Sequence, residues 1–303
     1  MLKEITRIKV PGTCTSLSIN ENLLLVTSTD KKFRVVDLVT EKVVNEGEGH
    51  SLSINQGLWD VFGEYFFTCS DDGTVSLWSK AGIKVNSFLG HVNHVQSLAL
   101  DNKNLMLLSG GSDCSVFLWD IRTFLPISLF EHVHQEPVTC LSFSEDSSVF
   151  LTGSFDGKIH LWDTMSLNSL KTCSFNRNIP IARANFIGSY ICCSCLDSTI
   201  LLWNAREMKS VPIKSYSGHV NENYLCDSQA DKNGLILSGS EDGSFYIWNL
   251  NSEELLVKHQ IYKKSRVVNT LAFKDGLVAC GSFDPSDQSS DGISLSKYVP
   301  DFF

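Results

Sequence analysis

Apolar residues occur in this chain in short runs that are separated by polar turns. In the stretch 131–163, apolar runs cover 138–143 and 149–153, and a third run ends at Trp162. These runs are rich in β-branched and aromatic residues and partly alternate with polar ones, which is typical of short β-strands. The Asp–Gly step at Asp156 and Gly157 suits a tight hairpin turn. Because no long segment carries an apolar period of 3.6 residues, the pattern predicts an all-β protein.

The same order of runs repeats along the chain with a period of about 41 to 45 residues. A tryptophan closes the third run of five copies, an aspartate stands six residues before it, and four copies carry a histidine upstream. The tryptophans are Trp78, Trp119, Trp162, Trp203 and Trp248; the aspartates are Asp72, Asp113, Asp156, Asp197 and Asp242; the histidines are His50, His91, His132 and His219. A period of this length with Gly-His and Trp-Asp signatures marks a four-stranded propeller blade.

Seven copies of about 42 residues account for nearly the whole chain, so the period predicts one domain over residues 1–303. One blade cannot bury both of its faces, so the seven are expected to stack in a closed ring. The segment 4–10 reads as a strand without a blade of its own. We expect residues 5–10 to pair with the strand near 293–298, because this removes two open sheet edges. The polar insertion at 285–291 in the seventh copy is predicted to be disordered.

These motifs resemble the WD-repeat family over essentially the full chain. The resemblance implies a seven-bladed β-propeller of WD repeats, with the N-terminal strand closing the last blade. It also implies a structural role for the repeated polar residues. In the fourth copy these are His132, Thr152, Asp156 and Trp162. Histidine and aspartate would hydrogen-bond across the blade while the hydroxyl holds the indole N–H. The set recurs in several copies, whereas an active site is normally unique, so we predict no catalytic group.

Composition narrows the classes of function further. The formal net charge of −9 argues against a general nucleic-acid binder, which would carry a basic face. No N-terminal apolar signal and no run longer than a strand is present, so we expect no membrane span and a location in the nucleus or cytoplasm. The ten cysteines lie mostly in predicted strands without disulfide or zinc spacing, which indicates buried thiols. No cofactor or metal site is expected.

Two closer resemblances point to one mouth of the channel. Residues 153–172 and 217–248 resemble the COMPASS histone-methyltransferase propeller subunit. Residues 195–204 and 218–243 resemble the MAP-kinase organiser WD-repeat scaffold. The first resemblance implies an arginine clamped between two phenylalanines, but Gln96 and Asp227 stand at those positions. The Asp227 carboxylate is expected to suit a basic peptide instead. The candidate partner-binding residues are Asn55, Asp71, Gln96, Pro137, Phe155, Tyr224 and Asp227, and Ala182 holds the same position in the fifth copy.

The expected function is that of a non-catalytic scaffold, monomeric within a larger complex, that binds several proteins through loops at the channel mouth. The candidate settings are a chromatin-modifying, COMPASS-like complex and a MAP-kinase or splicing-type scaffold. A different class remains open. The segment Trp119-Asp120-Ile121-Arg122 is similar to the motif by which some propellers dock onto a cullin ubiquitin-ligase adaptor. Arg122 would then make the chain a substrate receptor; otherwise it would form a salt bridge with a neighbouring loop.

Overall fold

The computed structural model describes residues 2–174, 179–207, 211–231, 233–286 and 292–298, which form twenty-eight strands and, within these ranges, no helix. The strands make seven antiparallel sheets of four strands each. Six sheets use four consecutive strands, and the seventh ends with the first strand of the chain. The sheets are the blades of a β-propeller, so the predicted all-β, seven-bladed fold is confirmed.

The blades follow the chain in order, and each runs from an innermost strand at the channel to an outermost strand at the rim. Blade one is β2 (Cys14–Asn20), β3 (Leu23–Ser28), β4 (Lys32–Asp37) and β5 (Lys42–Glu48); blade two is β6 (Ile54–Trp59), β7 (Tyr65–Ser70), β8 (Thr74–Ser79) and β9 (Lys84–Leu89); blade three is β10 (Val95–Leu100), β11 (Met106–Gly111), β12 (Val116–Asp120) and β13 (Leu125–Phe130); blade four is β14 (Val138–Phe143), β15 (Val149–Ser154), β16 (Lys158–Asp163) and β17 (Ser169–Ser174).

The remaining blades include the least regular strands. Blade five is β18 (Ile181–Ile187), β19 (Tyr190–Cys195), β20 (Thr199–Asn204) and β21 (Lys214–Tyr216); blade six is β22 (Ser228–Ala230), β23 (Leu235–Gly239), β24 (Ser244–Asn249) and β25 (Leu255–Gln260); blade seven is β26 (Val267–Lys274), β27 (Leu277–Phe283), β28 (Ile293–Tyr298) and β1 (Leu2–Ile8). The innermost strand of blade six, β22, has three residues.

The N-terminal strand closes the ring as predicted. Strand β1 pairs antiparallel with β28, with Leu2 opposite Tyr298 and Ile8 opposite Ile293. The guanidinium of Arg7 also donates a hydrogen bond to the Ile261 carbonyl oxygen of blade six at 2.7 Å. The first strand therefore provides the outer edge of the last blade. Most of the polar insertion predicted to be disordered, residues 287–291, lies outside the described residues.

The hydrophobic core consists of layers between neighbouring blades. Side chains of a strand point alternately to its two faces, so each blade packs one set against each neighbour. Phe88 on the outermost strand of blade two packs against Trp119 and Phe124 of blade three, with ring centroids 5.5 and 5.6 Å apart. Phe130 of blade three likewise packs against Trp162 of blade four at 5.0 Å. No blade is buried by its own strands alone.

The repeated polar residues tie the strands of a blade together. In blade two, His50 Nδ1 lies 3.0 Å from Asp72 Oδ2, and His50 Nε2 lies 2.8 Å from Thr68 Oγ1. The same Thr68 oxygen accepts the Trp78 indole N–H at 2.7 Å. Blade three repeats the arrangement with His91, Asp113, Ser109 and Trp119. These groups are buried and mutually satisfied, as the structural interpretation requires.

In blade four the predicted histidine is wrong. His134, not His132, lies 3.1 Å from Asp156 Oδ2 and 2.9 Å from Thr152 Oγ1, and Thr152 accepts the Trp162 N–H at 3.3 Å. His132 is exposed, in a left-handed turn with φ 51°. The partner histidine stands 22 residues before its aspartate in blades two, three and four. This spacing identifies the residue, whereas the Glu131-His132 pair only resembles the Gly-His signature.

Blade six does not form the expected set at all. The Asp242 carboxylate accepts a hydrogen bond from the Tyr246 hydroxyl at 2.8 Å and pairs with Lys258 Nζ at 3.0 Å. The Trp248 indole N–H donates to the Ser217 carbonyl. His219 is 3% exposed and packs edge-on against Trp248, and neither ring nitrogen has a hydrogen-bond partner among the described residues. Burial lowers the pKa of His219 to about 4, so the ring is neutral near pH 7.

Polar side chains also join the innermost strands around the channel. Four residues near the mouth donate to a carbonyl of the next blade: Thr15 to Ile54 (2.6 Å), Asn55 to Val95 (2.8 Å), Thr139 to Ile181 (2.7 Å) and Asn269 to Cys14 (2.7 Å). Further along the strands, four side chains accept a backbone N–H of the next blade: Ser18 from Trp59, Gln56 from Leu98, Ser142 from Phe186 and Gln229 from Phe273. Between blades five and six, Arg183 Nε pairs with Asp227 Oδ1 at 2.9 Å.

The corrected assignment in blade four makes the first prediction. His134→Ala should lower the free energy of unfolding by about 1–3 kcal/mol, because Thr152 and Asp156 lose a buried partner. His132→Ala should change it by less than about 0.5 kcal/mol, because that side chain is exposed. Urea unfolding of the two variants beside the parent protein measures both values. Equal destabilisation by the two substitutions would contradict the assignment.

The buried histidines make the second prediction. Burial lowers the pKa values of His50, His134 and His219 below the ordinary 6.5, so the unfolded chain binds more protons than the native one at mildly acidic pH. Their stabilisation is complete above about pH 6.5 and is lost as the pH falls through the folded pKa values. Between pH 6.5 and 4 the free energy of unfolding should fall with pH, and His219→Gln should reduce that slope by up to about 1.4 kcal/mol per pH unit. Urea titrations at several pH values measure it. An unchanged slope would show that His219 titrates normally.

Candidate functional site

Bulges place the candidate residues at the mouth of the channel. The pairing register shifts at Asn55 in blade two and at Gln96 in blade three, so each residue stands out of the ladder. The bulged residue of blade four is Thr139, and Pro137 lies two residues before it, ahead of strand β14. In blade five the bulged residue is Ala182. Such bulges re-aim a side chain towards the channel and the next blade.

Asn55 and Asp71 meet in one polar group. The Asn55 amide donates to Asp71 Oδ1 at 2.8 Å while the same nitrogen holds the Val95 carbonyl of the next blade. His94 Nδ1 lies 2.7 Å from the Asp71 carbonyl oxygen and 3.5 Å from Asp71 Oδ1. The Asp71 side chain is 32% exposed. This group therefore offers a fixed carboxylate to a donor arriving at the mouth.

The next group of predicted residues at the mouth is Gln96, Pro137 and Phe155. The Gln96 amide nitrogen donates to Ser112 Oγ at 2.9 Å, and its Oε1 is buried without a hydrogen-bond partner among the described residues. The Pro137 carbonyl accepts the Phe155 N–H at 3.2 Å, which places these two predicted residues side by side. Phe155 stays partly exposed. Its ring is an apolar contact surface at the mouth.

Asp227 is already paired within the chain. It is 9% exposed, and Arg183 of blade five binds its carboxylate. Burial raises the pKa of Asp227, and the Arg183 guanidinium opposes that rise. Because the charge is neutralised by an arginine of the same molecule, the carboxylate is not open to a basic peptide in this arrangement.

Tyr224 belongs to a loop that Glu241 holds in place. The Glu241 carboxylate accepts the backbone N–H groups of Glu222, Asn223 and Tyr224 at 2.7, 2.6 and 3.0 Å. The Tyr224 ring packs edge-on against Phe283 of blade seven, with centroids 5.2 Å apart. Both rings remain partly exposed. They form an aromatic pair on a restrained loop, which is a suitable anchor for a partner side chain.

Three residues of the mouth escaped the sequence analysis. Thr139 was recognisable, because it stands 23 residues before Trp162, as Asn55 does before Trp78 and Gln96 before Trp119. Arg183 and Phe283 carry no comparable signal. Each acts on a residue of another blade, and no motif relates their positions along the chain.

The channel widens beyond the mouth into a cavity of about 440 Å3. Of the seven predicted residues, Asp227 lines this cavity, and the others lie nearer the mouth. Its wall alternates between polar residues such as Gln56 and Arg183 and apolar ones such as Leu58 and Phe273.

Within the described residues, no three or more His, Cys, Asp or Glu side chains are grouped to hold a metal ion. All ten cysteines are free, and eight are buried, as predicted. Burial raises the pKa of Cys69 to about 12 and that of Cys140 to about 11, which keeps both thiols protonated. No helix in the described ranges is long and apolar enough to cross a membrane.

Arg122 lies on the opposite face, in the turn after β12. Its side chain is 74% exposed, and its Nε is 3.6 Å from Asp120 Oδ1 at the end of its own strand. The ion pair is thus local, and it does not join a neighbouring loop. The guanidinium points into solvent.

Comparison with known proteins supports the repeat. The model for the "WD domain, G-beta repeat" family matches residues 41–79, 82–120, 126–163 and 210–249, which together are just over half of the chain. COMPASS component SWD3 of Saccharomyces cerevisiae is 26% identical over 228 residues, covering 68% of this chain and 71% of that protein. The Dictyostelium discoideum WD repeat domain-containing protein 83 homolog is 24% identical over 263 residues, covering 76% and 79%.

A third relative is longer. Protein lethal(2)denticleless of Drosophila melanogaster is 27% identical over 243 residues, which are 63% of this chain and 32% of that protein. The chain thus spans about a third of that relative. The repeated blades, the buried His–Asp–Ser/Thr–Trp sets and the family match agree, and the chain belongs to the WD domain, G-beta repeat family.

Proposed function

We propose that this chain is a non-catalytic scaffold that binds partner proteins at the channel mouth. The observation that carries the proposal is that most polar side chains stabilise the propeller, while a few stay exposed at the mouth. The repeated His, Asp and hydroxyl side chains hold the strands of a blade together, and the bulged Asn55 and Thr139 join neighbouring blades. The exposed groups left at the mouth sit on a rigid frame without a catalytic constellation. Rigid loops of this kind supply specificity by contact.

The relatives support a setting in a multiprotein complex. The Saccharomyces relative is by its name a component of COMPASS, and we propose that this chain assembles a complex of that chromatin-modifying kind. A MAP-kinase or splicing-type scaffold is the neighbouring proposal within the same class. In either case the chain acts as one propeller domain over residues 1–303, monomeric within the complex, in the nucleus or cytoplasm. We propose no direct contact with nucleic acid or membrane.

The mouth favours contact through rings and a carboxylate. Tyr224 and Phe283 offer an aromatic surface, and Asp71 offers an exposed acceptor. An arginine clamp is disfavoured, because Gln96 replaces one ring and the Arg183–Asp227 pair stands where the other would be. We therefore propose that a partner segment places an apolar side chain against Tyr224 and a donor against Asp71.

Substitutions at the mouth should reduce the recovery of partner proteins. In affinity purification of the tagged protein, Tyr224→Ala and Asp71→Ala should each lower recovery of at least one stoichiometric partner about tenfold or more, because a central aromatic anchor contributes about 2 kcal/mol or more. Tyr65→Ala is the matched control, since Tyr65 is 44% exposed on the opposite face. Parent protein recovered without any stoichiometric partner would defeat the scaffold proposal. Unchanged recovery with both mouth variants would move the binding surface elsewhere.

The solvent-facing guanidinium of Arg122 favours a second candidate, substrate receptor of a cullin-type ubiquitin ligase. Arg122→Ala should then abolish co-purification of the ligase adaptor, because the local Asp120 contact does not occupy the guanidinium. Arg206→Ala is the matched control, since Arg206 stands three residues after Trp203 as Arg122 does after Trp119. Adaptor recovery that is equal for the parent and both variants would reject this candidate.

A further inference from the structure

A groove of about 770 Å3 lies between blades four and five, away from the channel mouth. Its blade-four side consists of the turn 144–148, Leu161, Leu170 and Lys171, and its blade-five side consists of Phe186, the turn 188–189, Ala205 and Arg206. The two turns join the inner strands of each blade, and Leu170 and Lys171 belong to the outermost strand β17. The groove therefore runs from the inner turns of this face outward to the rim.

The junction between blades four and five carries smaller side chains than the two junctions before it. Phe88 of blade two and Phe130 of blade three stand opposite Val75 and Val116 in the outer pair of strands, and both rings pack against the next blade. The matching residue of blade four is Cys173, opposite Ile159. Cys173 packs in the core layer of this junction and does not itself line the groove. A missing side chain in an interface leaves space unless the neighbours collapse into it.

One described position of the facing blade also carries a smaller side chain. Blade three fills its side of the junction with blade two through Ile121, two residues after Trp119, and through Phe124. The residue two positions after Trp203 in blade five is Ala205, which packs against the same layer as Cys173. The floor that remains is apolar, with Val149, Leu161 and Phe186.

A bulge turns one large apolar side chain outward beside this floor. The register of β16 and β17 shifts between Leu161 and Trp162, which leaves Leu170 unpaired. Leu170 is 55% exposed. An exposed leucine next to an apolar groove forms a continuous surface that a partner can dehydrate.

The two ends of the groove carry opposite charge. Glu145 and Asp146 lie at the inner end, and Lys171 and Arg206 lie at the rim. Hydrogen bonds from Ser144 and Ser148 hold the Asp146 carboxylate and lower its pKa to about 2, so this end stays negative. Lys171 Nζ reaches across the junction to the Glu207 carbonyl, so the positive end is formed by both blades.

We propose that this groove binds an extended segment of a partner protein with a large apolar side chain in its centre, Lys or Arg towards the turn 144–148, and Asp or Glu towards Lys171 and Arg206. The apolar floor and Leu170 would supply the contact area, and the opposite charges would fix the direction of the segment. The site is separate from the mouth, so it goes beyond the proposed function and would let one propeller hold two partners.

Three probe peptides of about nine residues test the proposal. Each has a central Leu-Ser-Phe; the first has lysines at one end and glutamates at the other, the second glutamates at both ends, and the third lysines at both ends. Backbone NMR of the isotope-labelled full chain should show shifts around the turn 144–148, Leu170 and Ala205 with the first peptide, at least fivefold tighter than with the others. Lys171→Glu combined with Arg206→Glu should transfer the preference to the third peptide.

Leu170→Asp should weaken binding of the first peptide about tenfold or more, and Ala205→Phe should block it by filling the floor. Ile127→Asp is the matched control, because Ile127 is the bulged residue at the same position of blade three and is 47% exposed. It should leave binding unchanged. Thermal unfolding confirms that each variant folds. Tyr224→Ala should also leave binding unchanged, which separates this site from the mouth.

Several results would overturn the proposal. These are equal affinity for the three peptides, no shifts at about 1 mM peptide, or equal loss with Leu170→Asp and Ile127→Asp. Sedimentation of the protein alone supplies another: a dimer that Leu170→Asp dissociates would make a second copy of this chain the occupant. Loss of peptide binding in Tyr224→Ala would assign the shifts to the mouth.

Discussion

The structure depends on how the innermost strand of each blade satisfies its open edge. A strand at the edge of a sheet leaves N–H and C=O groups without partners, and a buried group of this kind costs about 1–3 kcal/mol. At most junctions the partner is a side chain of the preceding blade. Asn55 reaches a carbonyl of blade three near the mouth, and Gln56 accepts an N–H of blade three just beyond it. The blades are thus joined at the channel by hydrogen bonds and further out by apolar packing.

This constraint decides which residues are free to act. Asn55, Gln56 and Thr139 each use a side-chain atom to bind a backbone group of the next blade, so those atoms belong to the frame. Between blades five and six, Ala182 has no polar group to reach across. The Arg183–Asp227 pair and the Asn185 amide, which donates to the Ser228 carbonyl, join the two blades there, and the ion pair takes the Asp227 carboxylate away from the mouth. Surfaces for partners are therefore expected at residues that take no part in the hydrogen bonds between innermost strands.

The fold was predictable from the sequence because its signal repeats. Five tryptophans at nearly constant spacing, each with an aspartate six residues earlier, define blades whose boundaries the structure reproduces closely. Errors arose where one copy departs from the others. His132 looked like the signature histidine, while the fixed separation from Asp156 belongs to His134. In blade six, His219 stands one residue too far from Asp242, and Tyr246 and Lys258 take its partner.

The site was less predictable, since its contacts join different blades. Pairs such as Tyr224–Phe283 and Arg183–Asp227 connect residues about 45 to 60 positions apart, and nothing in either copy alone reveals the partner. The groove between blades four and five is harder still to foresee. Its lining includes the small Ala205 and the exposed Leu170, and such changes in one repeat look like ordinary variation until their neighbours are known.

The pairing of β1 with β28 has a consequence for the newly made chain. During synthesis the first strand leaves the ribosome long before its partner exists, and blade seven cannot be completed until nearly the last residue of β28 has emerged. Six blades can assemble in turn while this one segment waits unpaired. Its exposed backbone is then a target for chaperones and for mispairing between nascent chains, so the pace of elongation bears on how much protein reaches the closed ring.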